Sequence, residues 1–163
     1  MAKNKEEKTN VMRVLEQKKI VYTAHTYPHE EGVAVDGVTV AQSMGFDPAI
    51  VFKTLVARGA SKQYYVFDVP VAENLDLKKA AKAVGEKSIE MIHQKELLPL
   101  TGYVHGGCSP VGMKKLFPTV FHETAENLET MIVSAGKIGY QVELSPRDLA
   151  ALVRAKFADI IVE

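Results

Sequence analysis

The stretch from Ile50 to Val69 constrains this chain most. Two apolar, β-branched runs, 51–57 and 63–69, flank the segment Arg58-Gly59-Ala60-Ser61-Lys62. Runs of that kind joined by a short glycine-containing turn read as a β-hairpin. A lone hairpin is marginal in water, so the rest of the chain has to cover it. The first run carries one discordant residue, Lys53 in Phe52-Lys53-Thr54-Leu55. Lysine is rarely buried unless paired or functional, and otherwise it takes a solvent face or snorkels to an edge. From this stretch alone the solvent-face reading is the plainer one.

The surrounding pattern is a series of short elements. Residues 1–8 form a polar tail and 9–163 a single domain. Thr9 or Asn10 caps a helix with Val11, Val14 and Leu15 on its apolar face, and 20–27 reads as a strand. A loop over 28–37 leads to a helix over 38–44 closed by Gly45, and Asp47-Pro48 opens a further helical turn. Asp76 caps a lysine-rich helix over 77–84 that Gly85 stops. Residues 88–92 read as a strand, and 94–98 as a helical turn ended by Pro99. Strands are expected at 119–121, 130–134 and 140–144, the last two as a hairpin. Ser145-Pro146-Arg147-Asp148 opens the last helix, and 158–162 reads as a final strand. Short strands mixed with short helices predict an α+β domain with a mixed, curled, barrel-like sheet surrounded by short helices.

Composition excludes several classes. The chain has 163 residues, 20 basic and 20 acidic, so the formal charge is zero. A protein gripping a long stretch of nucleic acid shows a basic excess, which leaves only local RNA contact and gives no reason to expect DNA as a partner. One cysteine rules out a disulfide framework and fits a reducing compartment. No apolar run reaches the length of a membrane span, and the charged N-terminus lacks a signal-peptide core. The expected setting is the cytoplasm, away from membranes.

Familiar chemistries find little support. Cys108 with His105 invites a thiol-protease reading, but no local signature of those families is present. A single cysteine is more often a small buried hydrophobe. His25, His29, His93, His105 and His122 are scattered without zinc-site spacing, so no metal is expected. Neither a P-loop nor G-x-G-x-x-G occurs, so no nucleotide cofactor is expected. Lys78, Lys79, Lys82 and Lys87 form a basic face that is either solvated or touches an RNA backbone. Two glycine-rich loops remain, 106–112 and 134–139. They are either tight turns or places where backbone N–H groups approach a ligand.

Taken in order, these pieces resemble a known family. Phe52-Lys53-Thr54-Leu55 is followed by Val69-Pro70-Val71, by Leu75-Asp76-Leu77-Lys78-Lys79, by 101–112 and by Val133-Ser134-Ala135-Gly136-Lys137. This order is similar to the YbaK/EbsC family, free-standing relatives of the prolyl-tRNA synthetase editing domain, and within it to the Cys-tRNA(Pro)/Cys-tRNA(Cys) deacylase group. The resemblance spans roughly 9–160.

The resemblance implies removal of a wrong amino acid from the 3′ end of a tRNA, with Lys53 as the residue on which activity depends. Gly106-x-x-x-Pro110, with Gly107 and Ser109 inside it, matches the loop that lines the aminoacyl pocket and whose backbone holds the acyl carbonyl and ribose. Ser134 and Gly136 match the second loop, Thr54 follows the lysine, and Tyr22 and Tyr27 fall at pocket or rim positions. The resemblance further implies that the substrate's own thiol attacks the ester, giving a cyclic thiolactone, and that a synthetase such as prolyl-tRNA synthetase supplies tRNA selection. Asp36 stands about where relatives carry an apolar or aromatic pocket residue. A water-driven deacylase for another small amino acid such as Ala-tRNA(Pro), a non-catalytic tRNA-end or synthetase-binding module, and a hydrolase acting through Cys108 are the competing readings.

Overall fold

The computed structural model describes residues 8–30 and 32–163. The expected tail falls almost wholly outside them. Helix α1 forms over Asn10–Gln17, where the Thr9 hydroxyl accepts the Met12 N–H and Val11, Met12 and Leu15 turn one face into the core. Strand β1 follows at Tyr22–Thr26, then α2 at Gly37–Met44 and a short 3-10 turn at Pro48–Ile50. The hairpin of the sequence reading is β2, Phe52–Gly59, with β3, Tyr64–Pro70. Helix α3 spans Leu77–Val84 between an Asp76 cap and Gly85. Strand β4 is Ile89–Met91 and helix α4 is Gln94–Thr101. Strands β5 (Thr119–His122), β6 (Met131–Ser134) and β7 (Tyr140–Leu144) precede α5 (Pro146–Val153) and β8 (Lys156–Ala158).

Three elements differ from expectation. Helix α4 runs through Pro99 instead of ending there. Pro99 is the sixth of the helix's eight residues and removes one intrahelical bond, and the Thr101 hydroxyl ties off the end by donating to the Leu97 carbonyl. The last strand lies at 156–158 instead of 158–162. Only the earlier residues align with Val120–His122, because the Ile160 N–H is taken by His122 Nδ1 and Ile161 bridges Leu75. A 3-10 segment, Glu123–Asn127, was not foreseen.

The α+β class and the mixed sheet hold, but the barrel does not. There are two open sheets. One is antiparallel with order β1-β7-β6, and the other is mixed with order β4-β2-β3-β5-β8. They touch through an isolated parallel bridge, Val51 to Ile132. β4 pairs with the outer edge of β2 from Ala57, and the Ile92 N–H just after β4 reaches the Val56 carbonyl at 3.4 Å. The edge over 52–55 is therefore open, and among the described residues no ring of strands closes.

Strand alternation sorts the core. Phe52, Val56 and Val66 face inward with Met131, Val133, Val142, Leu144, α1 and α5. Ala57, Tyr65, Phe67 and Val69 face the opposite way, under α3. A third, smaller cluster joins Ala41, Val51, Val71 and Ile132 at the seam of the two sheets. Among the described residues no helix is long and apolar enough to cross a membrane. Ile132 is fully buried at that seam. Ile132→Ala is expected to lower the unfolding free energy by about 2–5 kcal/mol, whereas Val21→Ala, at an 85% exposed position, should change it by less than about 0.5 kcal/mol; urea titration measures both.

Candidate functional site

The open edge of β2 is one wall of a cavity of about 440 Å³. Phe52, Lys53, Thr54 and Leu55 all line it. Consecutive strand residues point to opposite faces, so four in a row reach one cavity only where the strand is seen edge-on. Facing them are Tyr27, the segment Ala34-Val35-Asp36-Gly37, Val40, Val71 and Leu97. His105, Gly106 and Cys108 from the loop after α4, with Ser134, Tyr140 and Gln141 from the β6–β7 hairpin, complete the wall. The lining is largely apolar with a few polar groups, the usual character of a small-molecule site.

Lys53 is half-buried, on the face opposite Thr54. Among the described residues its ammonium has no hydrogen bond or ion pair. Burial pulls its pKa below the usual lysine value, while the carboxylates of Asp36 and Glu73 pull it back. The Asp36 carboxylate is committed elsewhere, since it caps α2 by accepting the N–H and hydroxyl of Thr39 at 3.1 and 3.2 Å. Asp36 therefore faces the cavity as a helix cap and a counter-charge to Lys53, at a place where an apolar residue was expected.

The glycine loops pack on one another. A Cβ on Gly107 would lie 3.1 Å from the Ile138 nitrogen and 3.3 Å from Lys137 backbone atoms. A Cβ on Gly106, where φ is +90°, would lie 2.6 Å from the Ala34 Cβ on the cavity wall. Contact between the loops thus explains Gly107, and closeness to the cavity explains Gly106. The Gly107 N–H donates to the Val104 carbonyl and the Gly136 N–H to the Ser134 hydroxyl, so neither is offered to a ligand. The Gly106 N–H has no partner among the described residues.

The cavity brings together Lys53, Thr54, Gly106, Ser134 and Tyr27 from the sequence reading. It leaves out five others. Gly107 and Gly136 shape the loops, Ser109 is fully buried and accepts the Val111 N–H, and Pro110 is buried beside it. Tyr22 donates to Glu16 at 2.6 Å, on the surface. Lys79 of the basic face holds Asp159, Glu163 and the Ile161 carbonyl, so it ties the C-terminal segment to α3. Cys108 lies on the wall, but burial and the nearby Asp68 charge push its thiol up to about 12, and no hydrogen bond joins it to His105 among the described residues. That is a poor nucleophile.

Two polar groups escaped the sequence reading. Gln141 Oε1 is buried on the wall without a partner among the described residues. Asp68 lies behind the wall, with no exposed surface, and accepts the Thr54 hydroxyl at 2.5 Å. Its other oxygen has no partner among the described residues. Burial raises its pKa to about 7, against the lowering effect of Thr54. The signal was present in the sequence, because Asp68 in Tyr65-Val66-Phe67-Asp68-Val69 is as discordant as Lys53.

The linkage sign follows from that elevation. Folded protein holds this proton at pH values where unfolded chain has lost it, so the contribution is full below the ordinary carboxylate pKa and declines as pH rises to about 7. Between pH 4 and 8 the wild type is expected to lose on the order of 4 kcal/mol of stability that Asp68→Asn retains, as read by urea unfolding of both proteins across that range.

Comparisons with known proteins agree with this architecture. The family model for the aminoacyl-tRNA editing domain matches residues 32–152, which hold every cavity-lining residue except Tyr27. Over 161 residues, 98% of each chain, the protein is 45% identical to the "Putative Cys-tRNA(Pro)/Cys-tRNA(Cys) deacylase EbsC" of Enterococcus faecalis (strain ATCC 700802 / V583). A solved structure described as "a putative trans-editing enzyme for prolyl tRNA synthetase" superposes with a TM-score of 0.79 at 26% identity, covering 94% of this chain and 95% of that one. Another, the hypothetical protein APE2540, shares the fold with a TM-score of 0.82 at 20% identity over 93% and 99% of the two chains. By the family-model match and the full-length likeness to EbsC, the chain belongs to the aminoacyl-tRNA editing domain family.

Proposed function

We propose that this protein is a trans-editing aminoacyl-tRNA deacylase that clears Cys-tRNA(Pro), and also Cys-tRNA(Cys), with the cysteinyl ester bound in the cavity beside Lys53. The observation that carries this is the half-buried Lys53 ammonium, unpaired among the described residues, on an open strand edge, facing the Gly106 loop across a cavity of about 440 Å³. That space suits an aminoacyl group with its terminal ribose rather than a longer stretch of nucleic acid. The 45% identical relative bears the same activity in its name.

The roles follow from position. Lys53 supplies a cation beside the ester and ribose. The Gly106 N–H donates to the acyl carbonyl as negative charge develops on it. Ser134 and Thr54 supply hydroxyls, and Gln141 Oε1 offers an acceptor for the α-ammonium. Tyr27, Val40, Leu55 and Val71 exclude water. The reacting nucleophile is the substrate's thiol, which forms a bond to its own ester carbonyl and releases the tRNA with a cyclic thiolactone. Such an intramolecular attack asks the protein for positioning and charge stabilisation alone. With no net charge of its own, the protein leaves tRNA choice to a synthetase, prolyl-tRNA synthetase in the first instance.

Deacylation assays on Cys-, Ala- and Ser-tRNA(Pro) test this. Lys53→Ala is expected to slow Cys-tRNA(Pro) clearance at least about a hundredfold, and Cys108→Ala to leave it unchanged. A Lys53→Ala protein as fast as wild type overturns the assignment, and a folded but inactive Cys108→Ala protein revives the thiol-hydrolase reading. Cys-tRNA should be cleared much faster than Ser-tRNA, since serine lacks the thiol. Equal rates contradict the cyclisation, and a preference for Ala-tRNA(Pro) points to attack by water.

A further inference from the structure

Asp68 sits one layer behind the cavity, and its setting is costly. It is fully buried at mid-strand on β3, opposite Thr54 on β2 and beside Phe121 on β5. The Thr54 hydroxyl, on the cavity wall, donates to one carboxyl oxygen, and the other has no partner among the described residues. β2 presents Thr54 to it and β5 the apolar Phe121. The loop after α4 presents Cys108, with Tyr103 beyond it. Among the described residues no lysine, arginine or histidine forms an ion pair or hydrogen bond with Asp68. A polar pair kept only to fix strand register would be better replaced by two apolar residues than left with an orphaned buried oxygen. A carboxylate in this position instead gains from taking up a proton, and Thr54 is the group through which one can come.

We infer that Asp68 is a positioning residue that, through the Thr54 hydroxyl, receives the proton released by the attacking group and returns it to the leaving ribose oxygen. This rests on the deacylase reading above. The substrate's S–H bond breaks and its proton passes to Thr54 Oγ1, while the proton already on Thr54 passes to Asp68. The sulfur electron pair forms the bond to the ester carbonyl carbon. The bond from that carbon to the ribose oxygen then breaks, and the ribose oxygen takes a proton back along the same path, leaving Asp68 ionised. Ionised Asp68 draws the Thr54 proton toward itself and turns the lone pairs of Thr54 to the cavity as acceptors. Protonated Asp68 donates to Thr54 and frees its proton toward the cavity. The hydroxyl thereby changes from acceptor to donor at the point in the reaction where the leaving group needs a donor.

The test is the single-turnover pH–rate profile on Cys-tRNA(Pro) of wild type, Asp68→Asn, Thr54→Val, Thr54→Ser and the Asp68→Asn/Thr54→Val double variant. Wild type should show a rising limb near neutrality. Asp68→Asn should lose that limb, keep only the rise set by the substrate thiol, and fall about a hundredfold in rate with KM unchanged. Thr54→Val should match it, the double variant should be no slower, and Thr54→Ser should keep the limb. If Asp68→Asn retains both limb and rate while wild type is active, the proton path is overturned and the deacylase reading stands. If wild type clears no Cys-tRNA, the deacylase reading falls and the path with it. Should Asp68→Asn fail to fold, carbon-13 titration of the Asp68 carboxyl in wild type decides: a near-neutral midpoint supports the path, and titration in the ordinary carboxylate range overturns it.

Discussion

The site depends on one unpaired stretch of backbone edge. The β4 segment hydrogen-bonds β2 only from Val56 onward, and β6, which packs close to β2, bridges the chain at Val51, just before the strand. Between those points no strand is hydrogen-bonded to this outer edge of β2 among the described residues, and an open edge in a protein this size would normally invite aggregation. Here it is covered by the 34–37 segment, α2 and the Gly106 loop, which stand off far enough to leave a cavity. The same edge lets a lysine from one face and a threonine from the other reach a single cavity. A closed barrel would have lost this, since every position on β2 would then belong to an inner or an outer face.

Two discordant residues on paired strands divide the chemistry. Lys53 is partly buried without a partner in hydrogen-bond reach, and its charge is balanced at longer range by Asp36 and Glu73. Asp68 is wholly buried with one short hydrogen bond to Thr54. They lie on opposite faces of the hairpin, so they do not neutralise one another as a buried ion pair. Each keeps an unsatisfied state that costs stability in the free protein. The fold carries that cost on the strength of its cores on both faces of the five-stranded sheet.

Much of this was legible in the sequence, for local reasons. Caps at Thr9, Asp76 and Ser145 announce helices whose ends are set by near neighbours. The β2–β3 and β6–β7 hairpins are fixed by alternation and short turns. The parts misread are those settled at long range. The segment 158–162 has strand chemistry, yet Ile160 and Ile161 are claimed by His122 and Leu75, far away in the chain. For the glycine loops, sequence cannot show that Gly107 and Gly136 spend their N–H groups within the loops. Asp68 was visible by the very criterion that singled out Lys53, and it stays inconspicuous until its strand partner is known.

The central claim is that the β2 edge and the Gly106 loop together bind the aminoacyl end of a tRNA. Amide and side-chain NMR shifts on titration with a non-hydrolysable cysteinyl-adenosine amide test it most directly. The account predicts shifts concentrated at Lys53, Thr54, Gly106, Ser134 and Gln141, with the Lys53 ammonium among the largest. Shifts confined to the Lys78–Lys82 face of α3, or none at a ligand excess, would contradict it.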